Sequence, residues 1–194
     1  LGSLNETVKA LKVDGSEATA ENVKNGSYQA ARPFHIATKA EPSEVTKDFI
    51  AYILSAEGQQ IIIDNKYIAL NESAAAYSGA APAGKIVIAG SSSVSPVMEK
   101  LAEAYQTINP NAQIEIQTSD STAGMTAAMT GACDIGMASR ELKDSELAEL
   151  TPTVIAQDGI AVIVAPASVV DSLTSDQVKA IFSGEALTWA EVIG

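Results

Sequence analysis

The chain has very little with which to perform covalent chemistry. Its 194 residues include one cysteine and one histidine. A single cysteine excludes an intrachain disulfide, and one cysteine with one histidine excludes the usual zinc sites. Cys133, within Gly131-Ala132-Cys133-Asp134, reads as a small packed apolar residue. His35 falls in a predicted strand around Phe34 and Ile36, where a histidine is structural rather than catalytic. No acid/base pair and no nucleophile–histidine arrangement stands out, so the sequence predicts no enzyme. No apolar run approaches the roughly 20 residues of a membrane span, and Leu1-Gly2-Ser3 shows no signal peptide. Basic residues are scarce, with 12 Lys+Arg against 24 Asp+Glu and a net charge of −12. Nucleic-acid binders gain affinity from a basic face, so nucleic acid is excluded as a partner. The deficit is uneven: residues 1–84 are net −3, and residues 85–194 are net −9 with a single arginine, Arg140.

What is present suits a folded α/β protein. Apolar residues make up 46%, too many for a disordered chain, and the length allows one large domain or two small ones. Residues 1–33 are turn-rich, with short strand candidates around Val8–Val13 and breaks at Asp14-Gly15 and Asn25-Gly26. Phe34–Thr38 predicts a strand, Val45–Ser55 an amphipathic helix, and Gln59–Ile63 a further helical turn. Residues 71–84 are small and unpatterned and read as a linker. Beyond them β and α alternate. Strands are predicted at Lys85–Ala89, Gln113–Gln117, Ile135–Ala138 and Gly159–Val164, with helices at Pro96–Ile108, Ala123–Thr130 and Ser175–Phe182. Such alternation predicts a doubly wound, mainly parallel sheet flanked by helices.

In these sheets ligands bind beyond the carboxyl ends of the strands, where loops feed helix N-termini. Three loops occupy that position, and all carry small hydroxyl residues: Ser91-Ser92-Ser93, Ser121-Thr122 and Ser139-Arg140. Ser95-Pro96 reads as an N-cap followed by a helix-opening proline beside the first loop. Hydroxyls, free amides and helix dipoles converge there, together with one guanidinium. This combination describes a pocket for a small tetrahedral oxyanion. Neither a GxxxxGK[ST] loop nor a GxGxxG run is present, which argues against nucleotides.

At these residues the chain resembles the phosphate-binding protein of bacterial ABC phosphate importers. The resemblance runs through Ile86–Tyr105, Asp120–Gly124, Asp134–Leu142, Asp158–Val164 and Ile181–Gly184 with Trp189. Residues 1–70, notably Arg32-Pro33-Phe34 and Phe49–Gly58, are similar to the same family's C-terminal part. It implies a lobe of the type II periplasmic-binding-protein fold, in circularly permuted order or spanning a tandem junction. On that reading 1–194 is essentially one α/β domain, in which 34–70 and 85–165 form the permuted first lobe, 71–84 the linker, and 1–33 and 166–194 remnants of a second lobe. The family's closing Ser-Gly-Thr-Arg loop is not found, and Val192-Ile193-Gly194 falls where the family continues.

The resemblance implies that Ser92 and Ser93 contact the anion through hydroxyl and backbone N–H, and that Ser121 contributes its hydroxyl. Thr122, Ser139 and Arg140 complete the expected phosphate site; some members place an arginine at the last position and others a carboxylate. Asp120 replaces an expected glycine. Its carboxylate either selects phosphate, by accepting a proton that sulfate lacks, or weakens the site. The implied function is phosphate binding without a cofactor or metal. Expected partners are inorganic phosphate and the importer's membrane subunits, outside the bacterial membrane although no lipid-anchor cysteine is seen. A weakly binding structural module, or a receptor for sulfate or molybdate, are the alternatives. Unpartnered strands near Leu4–Val13 and Gly159–Val164 would further favour a homodimer through the incomplete lobe.

Overall fold

The computed structural model describes residue 1 and residues 4–193; Gly2, Ser3 and Gly194, on which parts of the expectations for the two chain ends fall, lie outside the described residues. The chain divides into two compact units, one of residues 32–158 and one of 1–31 with 159–194. It begins with β1 (Lys9–Ala10), β2 (Lys12–Val13) and α1 (Ala20–Lys24). The central unit follows with β3 (Ala31–Thr38), α2 (Glu44–Leu54), α3 (Ala56–Asp64), β4 (Gly84–Ser91), α4 (Ser95–Ile108) and β5 (Ala112–Ser119). Next come α5 (Ser121–Thr130), β6 (Ile135–Ala138), α6 (Asp144–Leu147) and β7 (Thr151–Gly159). The chain closes with β8 (Ile163–Val164), β9 (Ser172–Leu173), α7 (Ser175–Ser183) and α8 (Trp189–Ile193).

Local chemistry sets the helix limits. Ser43 caps α2 by accepting from the Thr46 amide, and Ser55 caps α3 by accepting from the Gly58 amide. Gly131 ends α5 in the left-handed conformation at φ 76°, which glycine adopts without penalty. Val45, Phe49, Tyr52 and Ile53 of α2 are spaced to fall on one face and are all buried. No helix among the described residues is long and apolar enough to cross a membrane.

The central sheet has the order β5-β4-β6-β3-β7. Strand β4 runs parallel to both neighbours, while β3 pairs antiparallel with β6, so the sheet is mixed at that edge. Its two faces differ in residue size. Phe34, Ile36, Ile86, Ile88, Ile135 and Met137 join one core with Phe49 and Ile53 of α2 and Val97, Met98, Leu101 and Tyr105 of α4. The alternate positions Ala37, Ala89 and Ala138 join a second core with Met125 and Ala128 of α5 and Cys133. Period-two alternation thus separates bulky from small side chains, and α5 lies on the small side.

Three expectations are corrected here. Residues 71–84 are not a free linker but part of the central unit. The Ala56 amide donates to the Ala75 carbonyl, Glu57 accepts from the Tyr77 amide, and Asp48 accepts from the Ala80 amide and the Tyr77 hydroxyl. The boundary between units falls at 158/159 rather than 165, and the strand expected at Gly159–Val164 is represented by β8 alone. The preceding residues 151–159 join the central sheet instead, held by the Ile68–Gln157 bridge and the 3.0 Å ion pair of Arg32 with Asp158. Finally, the terminal strands do not lack partners. Strand β1 pairs antiparallel with β8, and β2 pairs parallel with β9. Leu11, Val170 and Leu173 form the small core of that unit.

Candidate anion site

Three glycines bring the site elements together. A Cβ on Gly124 would lie 2.5 Å from Gly90 Cα and 2.7 Å from the Ala89 carbonyl oxygen. One on Gly90, at φ +134°, would lie 2.4 Å from the Met137 carbonyl oxygen, and one on Gly136 would lie 2.8 Å from the Gly124 carbonyl oxygen. Only hydrogen at all three positions permits so close an approach of α5 to β4 and β6. The N-terminus of α5 therefore sits directly beside the ends of both strands.

At those ends the hydroxyl loops meet. Ser91 Oγ donates to Ser139 Oγ at 3.0 Å, and the Ser139 amide donates to Ser121 Oγ at 3.1 Å. Thr122 Oγ1 accepts from Arg140 Nη2 at 3.2 Å. The oxygens of Ser139, Ser121 and Thr122 are each engaged as acceptors, which leaves each O–H to be donated to a further group. The Ser121 amide, first in its helix, has no intrahelical acceptor and adds a donor at the positive end of the dipole. A cluster with three O–H groups and a helix-end amide free to donate suits an anion.

The first loop and its helix depart from expectation in two details. The Ser92 amide donates to the Ser119 carbonyl at 2.9 Å, so Ser92 has its exposed hydroxyl to offer but not its N–H. Ser93 lies beside it in the same turn, half-buried. Ser95 is not the cap of α4. Val94 occupies that position without a side-chain bond, and Ser95 Oγ instead donates to the Ser91 carbonyl and accepts from Thr118 Oγ1. Its hydroxyl ties the loop to β5 rather than closing the helix.

Asp120 caps α5. Its Oδ1 accepts from the Thr122 and Ala123 amides at 2.8 and 2.9 Å, which removes both from the set open to an anion. Oδ2 has no hydrogen-bond partner among the described residues.

Arg140 is more heavily committed than the sequence implies. Nη1 and Nη2 each donate at 2.9 Å to the two carboxylate oxygens of Glu146. Nη1 also donates to the Glu141 carbonyl at 2.9 Å, and Nη2 to Thr122. Glu146 is buried, with 3% of its side chain exposed, and also accepts from the Lys143 amide. The guanidinium holds the Glu146 carboxyl below the usual carboxylate range, and Glu146 pushes Arg140 up in turn. His35 supports the same loop from β3, with Nδ1 3.1 Å from the Arg140 carbonyl oxygen. It faces that carbonyl and Glu141 rather than any serine hydroxyl.

Sequence reasoning missed Glu146 and the glycine trio. Glycines inside a helix and a strand were the available signal for close backbone approach. Glu146, six residues beyond Arg140, carried none.

Comparison with known proteins finds relatives over nearly the whole chain. Residues 75–194 match the PBP superfamily domain. Over 194 residues the chain is 52% identical to phosphate-binding protein PstS 2 of Streptococcus agalactiae, an alignment covering 99% of this chain and 66% of that protein. The chain therefore spans just under two thirds of the length of that relative. The crystal structure of a phosphate-binding protein of a phosphate ABC transporter from Streptococcus pneumoniae matches with a TM-score of 0.90 at 42% identity, over 99% of this chain and 75% of that one. A substrate-binding protein from Clostridium perfringens, solved with bound phosphate, matches with a TM-score of 0.51 at 44% identity, over 56% of this chain and 45% of that one.

Proposed function

We infer that this chain, which belongs to the PBP superfamily, binds inorganic phosphate as part of the solute-binding component of a phosphate importer. One observation carries the reading: three hydroxyl loops, joined by the Ser91–Ser139 and Ser139–Ser121 hydrogen bonds, leave the Ser121, Thr122 and Ser139 O–H groups free to donate at the N-terminus of α5. Phosphate is the anion named for the relatives in Streptococcus. Ser92, Ser93, Ser121, Thr122 and Ser139 supply the donors. Binding without catalysis is the role that the relatives' names support. The protein works outside the membrane and delivers phosphate to the importer's membrane subunits, as its kinship suggests. The segment order, with 1–70 ahead of 85–194, is native to this branch of the family, a reading supported by one alignment spanning 99% of the chain.

Asp120 gives the site its preference among oxyanions. Its Oδ2 accepts a hydrogen bond from the P–OH of hydrogen phosphate, a donor that fully ionised sulfate does not offer. Asp120→Asn retains a capping side chain and removes the charge. Calorimetric titration with phosphate and sulfate tests both statements. Phosphate binding by the unaltered protein, with a phosphate-to-sulfate ratio that collapses in Asp120→Asn, is the expected result. No heat with phosphate overturns the function, and an unchanged ratio overturns the selectivity.

A further inference from the structure

A guanidinium has five N–H groups, and the protein already uses the four on Nη1 and Nη2 of Arg140. Two go to Glu146, one to the Glu141 carbonyl and one to Thr122 Oγ1. Nε–H alone has no partner among the described residues. The cation is also neutralised at close range, because both oxygens of a buried carboxylate lie 2.9 Å from its nitrogens. Such a group has little charge or donor capacity left for a ligand. Its contacts do something else: they join the loop after β6 to Thr122 in the first turn of α5 and to Glu146 in α6. His35 fixes the same residue from β3 by facing its carbonyl.

We propose that Arg140 and Glu146 are positioning residues, a clamp that sets the Thr122 and Ser139 hydroxyls for the anion, and that the anion is held by neutral donors rather than by the arginine's charge. The proposal rests on the phosphate reading above and gives Arg140 a role different from that of a direct ligand. Neutral donors also suit a half that is net −9. Hydroxyls and amides act over short distances, where the global charge does not cancel them.

The clamp and the direct-ligand roles predict opposite outcomes. Glu146→Gln keeps the side chain's size and frees the guanidinium from its counter-charge. Arg140→Lys keeps the charge and removes the planar fork. Each variant, with Arg140→Gln and the unaltered protein, is titrated with inorganic phosphate at low and high salt, and folding is checked by circular dichroism. Under the clamp, Glu146→Gln weakens binding by about tenfold, and Arg140→Lys loses as much affinity as Arg140→Gln. The salt dependence of binding stays that of the unaltered protein. Tighter binding by Glu146→Gln with a steeper salt dependence, or near-complete retention of affinity by Arg140→Lys, overturns the clamp. Should either variant fail to fold, the other decides. Absence of phosphate binding by the unaltered protein overturns the phosphate reading itself, and this proposal with it.

Discussion

Gly124→Ala puts the packing beneath the site to a direct test. In an exposed helix interior the change gains about 1 kcal/mol in propensity. Here the new methyl would meet Gly90 Cα at 2.5 Å, the Ala89 carbonyl oxygen at 2.7 Å and the Met137 carbonyl oxygen at 3.0 Å. All three are backbone atoms of β4 and β6, so no rotamer change relieves the overlap. Restoring ordinary contact requires α5 to withdraw by about 1 Å. That movement would stretch the 3.1 Å bond from the Ser139 amide to Ser121 Oγ beyond hydrogen-bonding range. Overpacking costs about 1–3 kcal/mol and the lost bond about 1 kcal/mol, so the net change is destabilising by about 1–3 kcal/mol. Phosphate affinity falls by about tenfold or more, because the Ser121 and Thr122 donors move with the helix. Urea denaturation followed by circular dichroism gives the first quantity, and titration calorimetry the second. Gly131→Ala serves as a control, since its φ of +76° strains alanine at the far end of α5 without disturbing the site. A Gly124→Ala protein as stable as the original, with unchanged affinity, would refute the account.

Protonation yields further tests. Glu146 has a folded-state pKa depressed by Arg140, so its stabilisation is complete above the ordinary glutamate range and is lost as pH falls through the depressed value. The stability difference between the unaltered protein and Glu146→Gln therefore shrinks in acid, as urea midpoints measured against pH will show. Burial and then the Asp48 hydrogen bond push Tyr77 up to about 12 and raise Tyr105 as well. Raised tyrosines stabilise below their ordinary value, and the effect is lost as pH rises through the folded-state values. Asp48→Asn lowers the onset of tyrosinate absorbance and makes residues 71–84 more susceptible to limited proteolysis. Burial pushes the Cys133 thiol up to about 11, and its Sγ lies 4.0 Å from the Gly124 carbonyl oxygen. Labelling of this thiol is expected to be slow and to accelerate in Gly124→Ala, as timed reaction with a thiol reagent will reveal.

Much of the central unit is legible in the sequence because its elements carry local signals. Ser43, Ser55 and Gly131 mark helix ends, and the unbroken apolar run Ile86–Ala89 marks a strand covered on both faces. The hydroxyl loops are legible because their place after strands is a consequence of β/α order. Partnerships set at long range are not legible. Residues 151–159 join the central sheet through contacts to Arg32 and Ile68, more than 80 positions away in sequence. Tyr77 gives residues 71–84 an anchor on Asp48 that their composition conceals. Arg140 is visible as a lone cation, but its commitment to Glu146 depends on where α6 places a carboxylate.

The unequal faces of the sheet imply an unequal tolerance of substitution. Along 86–89 and 135–138, the positions facing α2 and α4 hold isoleucine or methionine and are harmed chiefly by truncation, which opens cavities. Their alternate neighbours Ala89, Gly136 and Ala138, facing α5, are harmed chiefly by enlargement, since each added methyl lifts the helix that carries the anion donors. A saturation-mutagenesis map of these strands would show two interleaved stripes with opposite size preferences. Changes on the bulky stripe would reduce protein abundance, and changes on the small stripe would reduce ligand affinity first.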